Sequence, residues 1–182
     1  LLAQLLPGRA EFGGIVTNLS REVELAGVAL RLNSTVDKAL IEAEAPDAVI
    51  LATGATPHWP EIEGAEEAHV VDAWQVLSGE ANVGGSVVVA DWACDWIGMG
   101  LAEKLARDGC HVRLAVTGFV SGERVPSYVR DSWNAILHGL GVEIIPYAKL
   151  FGADSDTVYM RHTASGEPII FDSVDTLVLA QG

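Results

Sequence analysis

Ser86-Val-Val-Val-Ala-Asp-Trp-Ala-Cys-Asp-Trp-Ile-Gly-Met-Gly-Leu-Ala-Glu-Lys-Leu-Ala-Arg-Asp-Gly-Cys-His-Val-Arg-Leu-Ala-Val116 is the stretch whose reading decides the fold. Its opening run, 86–90, is apolar after Ser86, as in a strand buried on both faces. Residues 91–95 read as a turn. A helix is predicted over 96–108, with Ile97, Leu101 and Leu105 on one side, Met99, Ala102 and Ala106 beside them, and Gly109 ending it. Residues 110–116 form the next strand. Downstream, a helix over 127–139 and a strand over 142–145 repeat the alternation. Strand, helix, strand, helix, strand with short links predicts a parallel α/β sheet. Residues 157–163 and 168–171, joined by Ala164-Ser-Gly-Glu167, pair as a β-hairpin. A last apolar strand covers 174–180 and ends at Gln181-Gly182.

Upstream the pattern differs. Residues 1–6 are apolar and read as a strand or loop. A helix is predicted over 11–26 from Phe12, Ile15, Val16, Leu19, Val23 and Leu25, with Gly27 as its stop. Within that span Gly13-Gly14 reads either as a hinge of the helix or as an N-terminal loop, and the loop is favoured because Gly costs helix stability. Strands are expected over 28–33 and 48–52, a short helix between them over 37–43, and another short helix over 73–77. The second strand ends in Thr53-Gly54-Ala55-Thr56-Pro57. The acidic run from Glu61 to Asp72 reads as a solvated loop.

Composition sets outer limits. The 182 residues are 49% apolar and 20% charged, a globular balance. Eleven basic against 25 acidic residues leave a net charge of −14. That field repels nucleic acid and anionic membrane surfaces. No apolar run reaches the roughly 20 residues of a bilayer span. Cys94 and Cys110 are too few for a disulfide framework and fit no zinc spacing, so both read as buried or semi-buried thiols of a reducing, cytoplasmic compartment. The five histidines show neither metal spacing nor a nucleophile partner and read as structural or surface groups. The apolar start without a basic front suggests the middle of a longer protein.

Two strand ends share a pattern. Pro46-Asp-Ala-Val-Ile-Leu-Ala-Thr-Gly54 and Ser173-Val-Asp-Thr-Leu-Val-Leu-Ala-Gln-Gly182 each run from Asp through an apolar strand to Gly. This pair, separated by strand–helix–strand units, resembles the flavoproteins in which an NAD(P)H-type domain is inserted into an FAD-type domain. Pro7-Gly-Arg-Ala-Glu-Phe-Gly-Gly14, the helix to Gly27 and Leu51-Ala-Thr-Gly-Ala-Thr-Pro57 narrow the resemblance. They look like the C-terminal half of the 2,4-dienoyl-CoA reductase and trimethylamine dehydrogenase group, large NADH:flavin oxidoreductases related to old yellow enzyme.

The resemblance implies a Rossmann-like parallel sheet domain, 80–182, inserted into a partial FAD-binding α/β lobe, 1–79, with 174–182 as the return strand. It implies a parent with an N-terminal barrel carrying FMN and a 4Fe-4S cluster, neither of which has its residues here. Thr53, Gly54, Ala55 and Gly182 are the positions it places near a flavin. With the flavin's glycine-rich loop not among these residues, FAD or ADP is expected to bind the chain weakly or not at all.

The inserted domain can be tested against the chemistry of dinucleotide binding. Such a loop wants G-x-G-x-x-G, so that bare backbone N–H groups meet the pyrophosphate. Here Asp91 stands at the first position, Trp92 and Trp96 add bulk around Ala93, the loop is longer than usual, and only Gly98 falls where the packing glycine belongs. Asp91 is expected to point its charge at a diphosphate, and Trp92 and Trp96 to pack as buried aromatics. The second strand ends in Val116-Thr-Gly-Phe119, with no acid for a ribose diol and neither Arg113 nor Arg124 well placed for a 2′-phosphate. Both tests argue against NAD(P)H. Within the group, that pattern is closer to the trimethylamine dehydrogenase-like branch, which passes electrons to an external electron-transfer flavoprotein, than to NADPH-driven enoyl reductases. A purely structural or docking lobe is the third possibility. No catalytic residue is assigned.

Overall fold

The computed structural model describes residues 2–181, so Gly182 lies outside it. Five parallel strands form the central sheet: β1 (Val70–Asp72), β2 (Ser86–Asp91), β3 (His111–Val116), β4 (Glu143–Ile145) and β8 (Thr176–Ala180). Their spatial order is β1-β8-β2-β3-β4. Strands β5 (Ala148–Ala153), β6 (Val158–His162) and β7 (Pro168–Phe171) form an antiparallel meander. The helices are α1 (Phe12–Leu25), α2 (Lys38–Glu44), α3 (Ala73–Ser78), α4 (Trp96–Arg107) and α5 (Ser127–Gly139).

Alternation along each central strand sorts the layers. Val87 and Val89 of β2, with Val178 and Ala180 of β8, pack with Met99, Leu101 and Leu105 of α4 and Leu137 of α5. Val88 and Ala90, with Leu177 and Leu179, pack on the other face with Ala153, Val158 and Met160 of the meander. A strand with helices on one side and a sheet on the other has no polar face, which is why 87–90 is apolar throughout. The parallel sheet, α4, α5 and the hairpin stand as the sequence predicts. The strands β1 and β5 are additional.

Strand β1 emerges from the end of the acidic run, which is therefore not all solvated loop. Val70, Val71 and Asp72 pair with Leu177, Val178 and Leu179, so the sheet reaches across residue 79. Asp72 is buried and caps α3: its Oδ1 accepts from the N–H groups of Trp74 and Gln75, while the Gln75 side chain accepts from the Asp72 N–H.

Three expectations for the first 60 residues are corrected. The start is a short 3-10 helix, Leu2–Leu5, rather than a strand or loop, and Leu6 behind it is buried against Gly100 of α4. Gly13 and Gly14 lie inside α1, where a Cβ on Gly13 would run into the Gln4 side chain. Residues 28–33 and 48–52 are not strands. No strand pairs with either run among the described residues, and Ile50 and Leu51 are 90% and 82% exposed. A strand's backbone groups need a neighbouring strand to bond. These two runs carry the composition of buried strands and find no ladder to join.

Candidate functional site

Parallel α/β sheets place ligands outside the carboxyl ends of their strands. Here that edge carries Asp72 at the end of β1, Gln181 after β8, the 91–95 loop that opens at the end of β2 and Thr117-Gly118 after β3. Gln181 Nε2 donates to Ala90 O at 2.9 Å and ties the ends of β8 and β2 together.

The 91–95 loop is sealed by its own carboxylates. Asp91 is 1% exposed and belongs to the helix face of β2. Its Oδ1 accepts from the Cys94 N–H at 2.8 Å, while its Oδ2 is buried without a partner. Asp95 caps α4, accepting from the Ile97 N–H at 2.8 Å. Backbone N–H groups of this loop and helix start, the kind a pyrophosphate would use, are thus already bonded to side chains of the loop. The expectation that Asp91 points at a diphosphate is corrected: it turns inward beneath α4.

Gly98 makes that possible. A Cβ at this position would run into the Cβ, Cγ and Oδ2 of Asp91. Gly98 is therefore the packing glycine that the sequence suggests, though it accommodates a side chain rather than bare strand backbone. Burial pushes the Asp91 carboxyl up from 3.8 to about 7. The Cys94 N–H opposes that rise, Asp95 adds to it, and Arg124 lowers it again.

Around this turn, Cys94 is buried with a left-handed φ of 51°. Its Sγ accepts from the Gly118 N–H at 3.3 Å, and its carbonyl accepts from the Arg124 N–H at 3.0 Å. The thiol thus pins the loop to the end of β3. Ala93 is half-buried. Trp96 packs edge-on to Phe12, as an aromatic packing residue should. Trp92 does not bury: it is 43% exposed, and Lys149 Nζ lies 4.8 Å from its ring centroid.

The ribose position also differs from its sequence reading. No acid follows β3 directly, but the 118–125 loop brings Glu123 back against Gly118, where a Cβ would meet its Oε2. Only a chain reversal could reveal this, since five residues separate the two. Arg113 is occupied elsewhere, near Glu143 and over Phe171.

Thr53, Gly54 and Ala55 are exposed and belong to no element, so the described residues build no flavin cradle around them. The structure does not bring them to the Asp91 loop. Instead, the following Pro57 and His58 line a small recess with Asp72 and Gln181, and Trp59 Nε1 donates to Asp72 Oδ2 at 3.0 Å.

No protein-family model matches the chain. Over 111 residues it is 40% identical to bilirubin reductase of Mediterraneibacter gnavus, covering 61% of this chain and 17% of that protein. Over 141 residues it is 33% identical to the N,N-dimethylglycine/sarcosine dehydrogenase of Chromohalobacter salexigens, covering 71% and 20%. These similarities are consistent with the C-terminal FAD/NAD(P)-type region of the group that the sequence resembles. It spans about a fifth of the length of these curated relatives. Histamine dehydrogenase from Rhizobium sp. 4-9 shares the fold over the whole chain and 30% of its own, with a TM-score of 0.87 at 18% identity. The relatives are named dehydrogenases, reductases and oxidases. The present chain sets Gly98 against Asp91 and closes its 91–95 loop with the Asp91 and Asp95 carboxylates.

Proposed function

We propose that this chain is the nucleotide-binding-type segment of a flavin-dependent oxidoreductase acting on an amine or N-methyl substrate, and that its Rossmann-like unit is not an NAD(P)H port. The carrying observation is the bond from the Cys94 N–H to the buried Asp91 carboxyl. A dinucleotide phosphate would have to displace a carboxyl that is itself lodged under Gly98. The residues present do not fit NAD(P)H, so no hydride step is assigned to this unit. The dimethylglycine/sarcosine dehydrogenase similarity supports an N-methyl substrate for the parent. In this reading the barrel with FMN and the iron–sulfur cluster lies elsewhere in the parent. Electrons then leave to an external flavoprotein, whose docking would weaken with salt if the chain's −14 charge steers it.

A second reading, an NAD(P)H-driven reductase, is favoured by the 40% identity to bilirubin reductase and by Glu123 at the ribose position. Calorimetric titration with NADH and NADPH separates the two. No saturable binding up to about 1 mM, a weak limit for a dedicated cofactor site, is expected for the chain. Micromolar binding of either nucleotide would overturn the first reading. Asp91→Gly tests the cause, since freeing the Cys94 N–H should improve binding if the carboxyl is what closes the loop.

A further inference from the structure

The few cations of this acidic chain are distributed unevenly. Of eleven Lys and Arg side chains, seven make ion pairs: Arg21, Arg31, Lys38, Lys104, Arg107, Arg113 and Arg130. Arg9 lies among the rings of Phe12, Trp96 and Trp133. The other three, Arg124, Lys149 and Arg161, also have no carboxylate within ion-pair distance among the described residues. Two of these three, Lys149 and Arg161, are direct partners across β5 and β6. Directly opposed residues share one face of a sheet, and like charges there repel. In a chain with 25 acids, an unneutralised pair of facing cations is a cost that the fold does not relieve.

The surroundings are concave. A cavity of about 570 Å³ is lined by Lys149, Arg161, His162, Thr163 and Ser165, with no carboxylate on its wall. It lies in the size range of small-ligand sites. Glu61 and Glu63 line a separate hollow beyond the same two cations without reaching ion-pair distance. The hairpin wall is held firmly. His162 Nδ1 accepts from the Ser165 N–H at 3.0 Å, the His162 ring packs at a tilt against Tyr147 with ring centroids 5.2 Å apart, and the Thr163 N–H donates to Tyr147 O at 2.7 Å. Trp92 fixes Lys149 from the side of the closed phosphate loop.

We propose that Lys149 and Arg161, with the 162–166 hairpin turn, form a binding site for a small phosphate-bearing anion of the phosphate-monoester class, displaced from the sealed backbone loop onto side-chain cations. Guanidinium and ammonium groups side by side match a dianion. A net charge of −14 disfavours an acidic macromolecule, whose many charges would feel the whole field, whereas a small ion feels chiefly the two nearest cations. The site does not depend on whether the 91–95 loop takes a dinucleotide.

Calorimetric titration with inorganic phosphate and with AMP tests it, the two probes separating free phosphate from a nucleotide. Binding tighter than about 1 mM is expected for one of them, and Lys149→Ala and Arg161→Ala should each weaken it about tenfold, the scale of a charge-assisted hydrogen bond. Lys38→Ala, which removes the same charge from α2, should leave it unchanged. Both side chains face outward, and circular dichroism checks that the variants fold; Lys149→Gln and Arg161→Gln serve where an alanine variant does not. Absence of saturable binding by both probes, equal weakening by Lys38→Ala, or tighter binding of an oligoglutamate peptide than of either phosphate overturns the proposal.

Discussion

Replacing Asp91 by Asn should reverse its effect on stability between acid and alkaline solution. In the folded chain the carboxyl holds its proton up to about 7, chiefly because burial disfavours the charge, whereas the ordinary value is 3.8. The folded state therefore binds one more proton than the unfolded state between these two values. Its contribution to stability is complete below about pH 4 and is lost as pH rises through about 7. At about 1.4 kcal/mol per pH unit, the loss is on the order of 4 kcal/mol. Asn keeps an Oδ1 to accept from the Cys94 N–H, but leaves an NH2 where Oδ2 is buried without a partner. Measured against the protonated carboxyl, whose single O–H is also unpartnered, the additional N–H costs about 1–3 kcal/mol. At about pH 4 the variant should thus be the less stable protein, and at about pH 8 the more stable, by about 1–3 kcal/mol each way. Urea unfolding of both proteins across this range measures the difference directly and cancels the contribution of the other acids. A difference that does not change with pH, or that favours Asn at low pH, would refute the placement of Asp91 as a buried acid.

Gly98→Ala should destabilise the chain by about 1–3 kcal/mol, since the new Cβ must displace Asp91 from beneath α4; combining it with Asp91→Gly should recover most of that loss in the same urea assay. Asp72→Ala removes the cap of α3 and the acceptor of Trp59 Nε1, so thermal unfolding should show a loss of about 1–2 kcal/mol. Leu6→Ala should cost about 2–5 kcal/mol, because Leu6 is 3% exposed and fills the surface of α4 at Gly100. A loss below about 0.5 kcal/mol would mean that the N-terminal turn does not dock.

The sequence by itself determined the elements whose information is local or periodic. The apolar run of β2, the 3.6-residue stripe of α4, the stop at Gly109, and the turn of the hairpin each state their structure within a few residues. So did the loss of two loop glycines, a matter of identity at fixed spacing from β2. What only the tertiary structure decided are relations through space. Residues 28–33 and 48–52 have strand composition, yet a strand exists only where another backbone lies alongside. Val70–Asp72, unpromising inside an acidic run, becomes β1 because β8 offers it a free edge. Asp91 reads as a charge facing outward, but the parity of β2 turns it to the helix face, and the missing Cβ of Gly98 gives it room. Glu123 reaches Gly118, and Arg161 faces Lys149, only because a loop and a strand fold back. Local pattern governs which backbone conformation each segment favours. The partners that seal a loop or gather two cations are set by the packing of segments far apart in the chain.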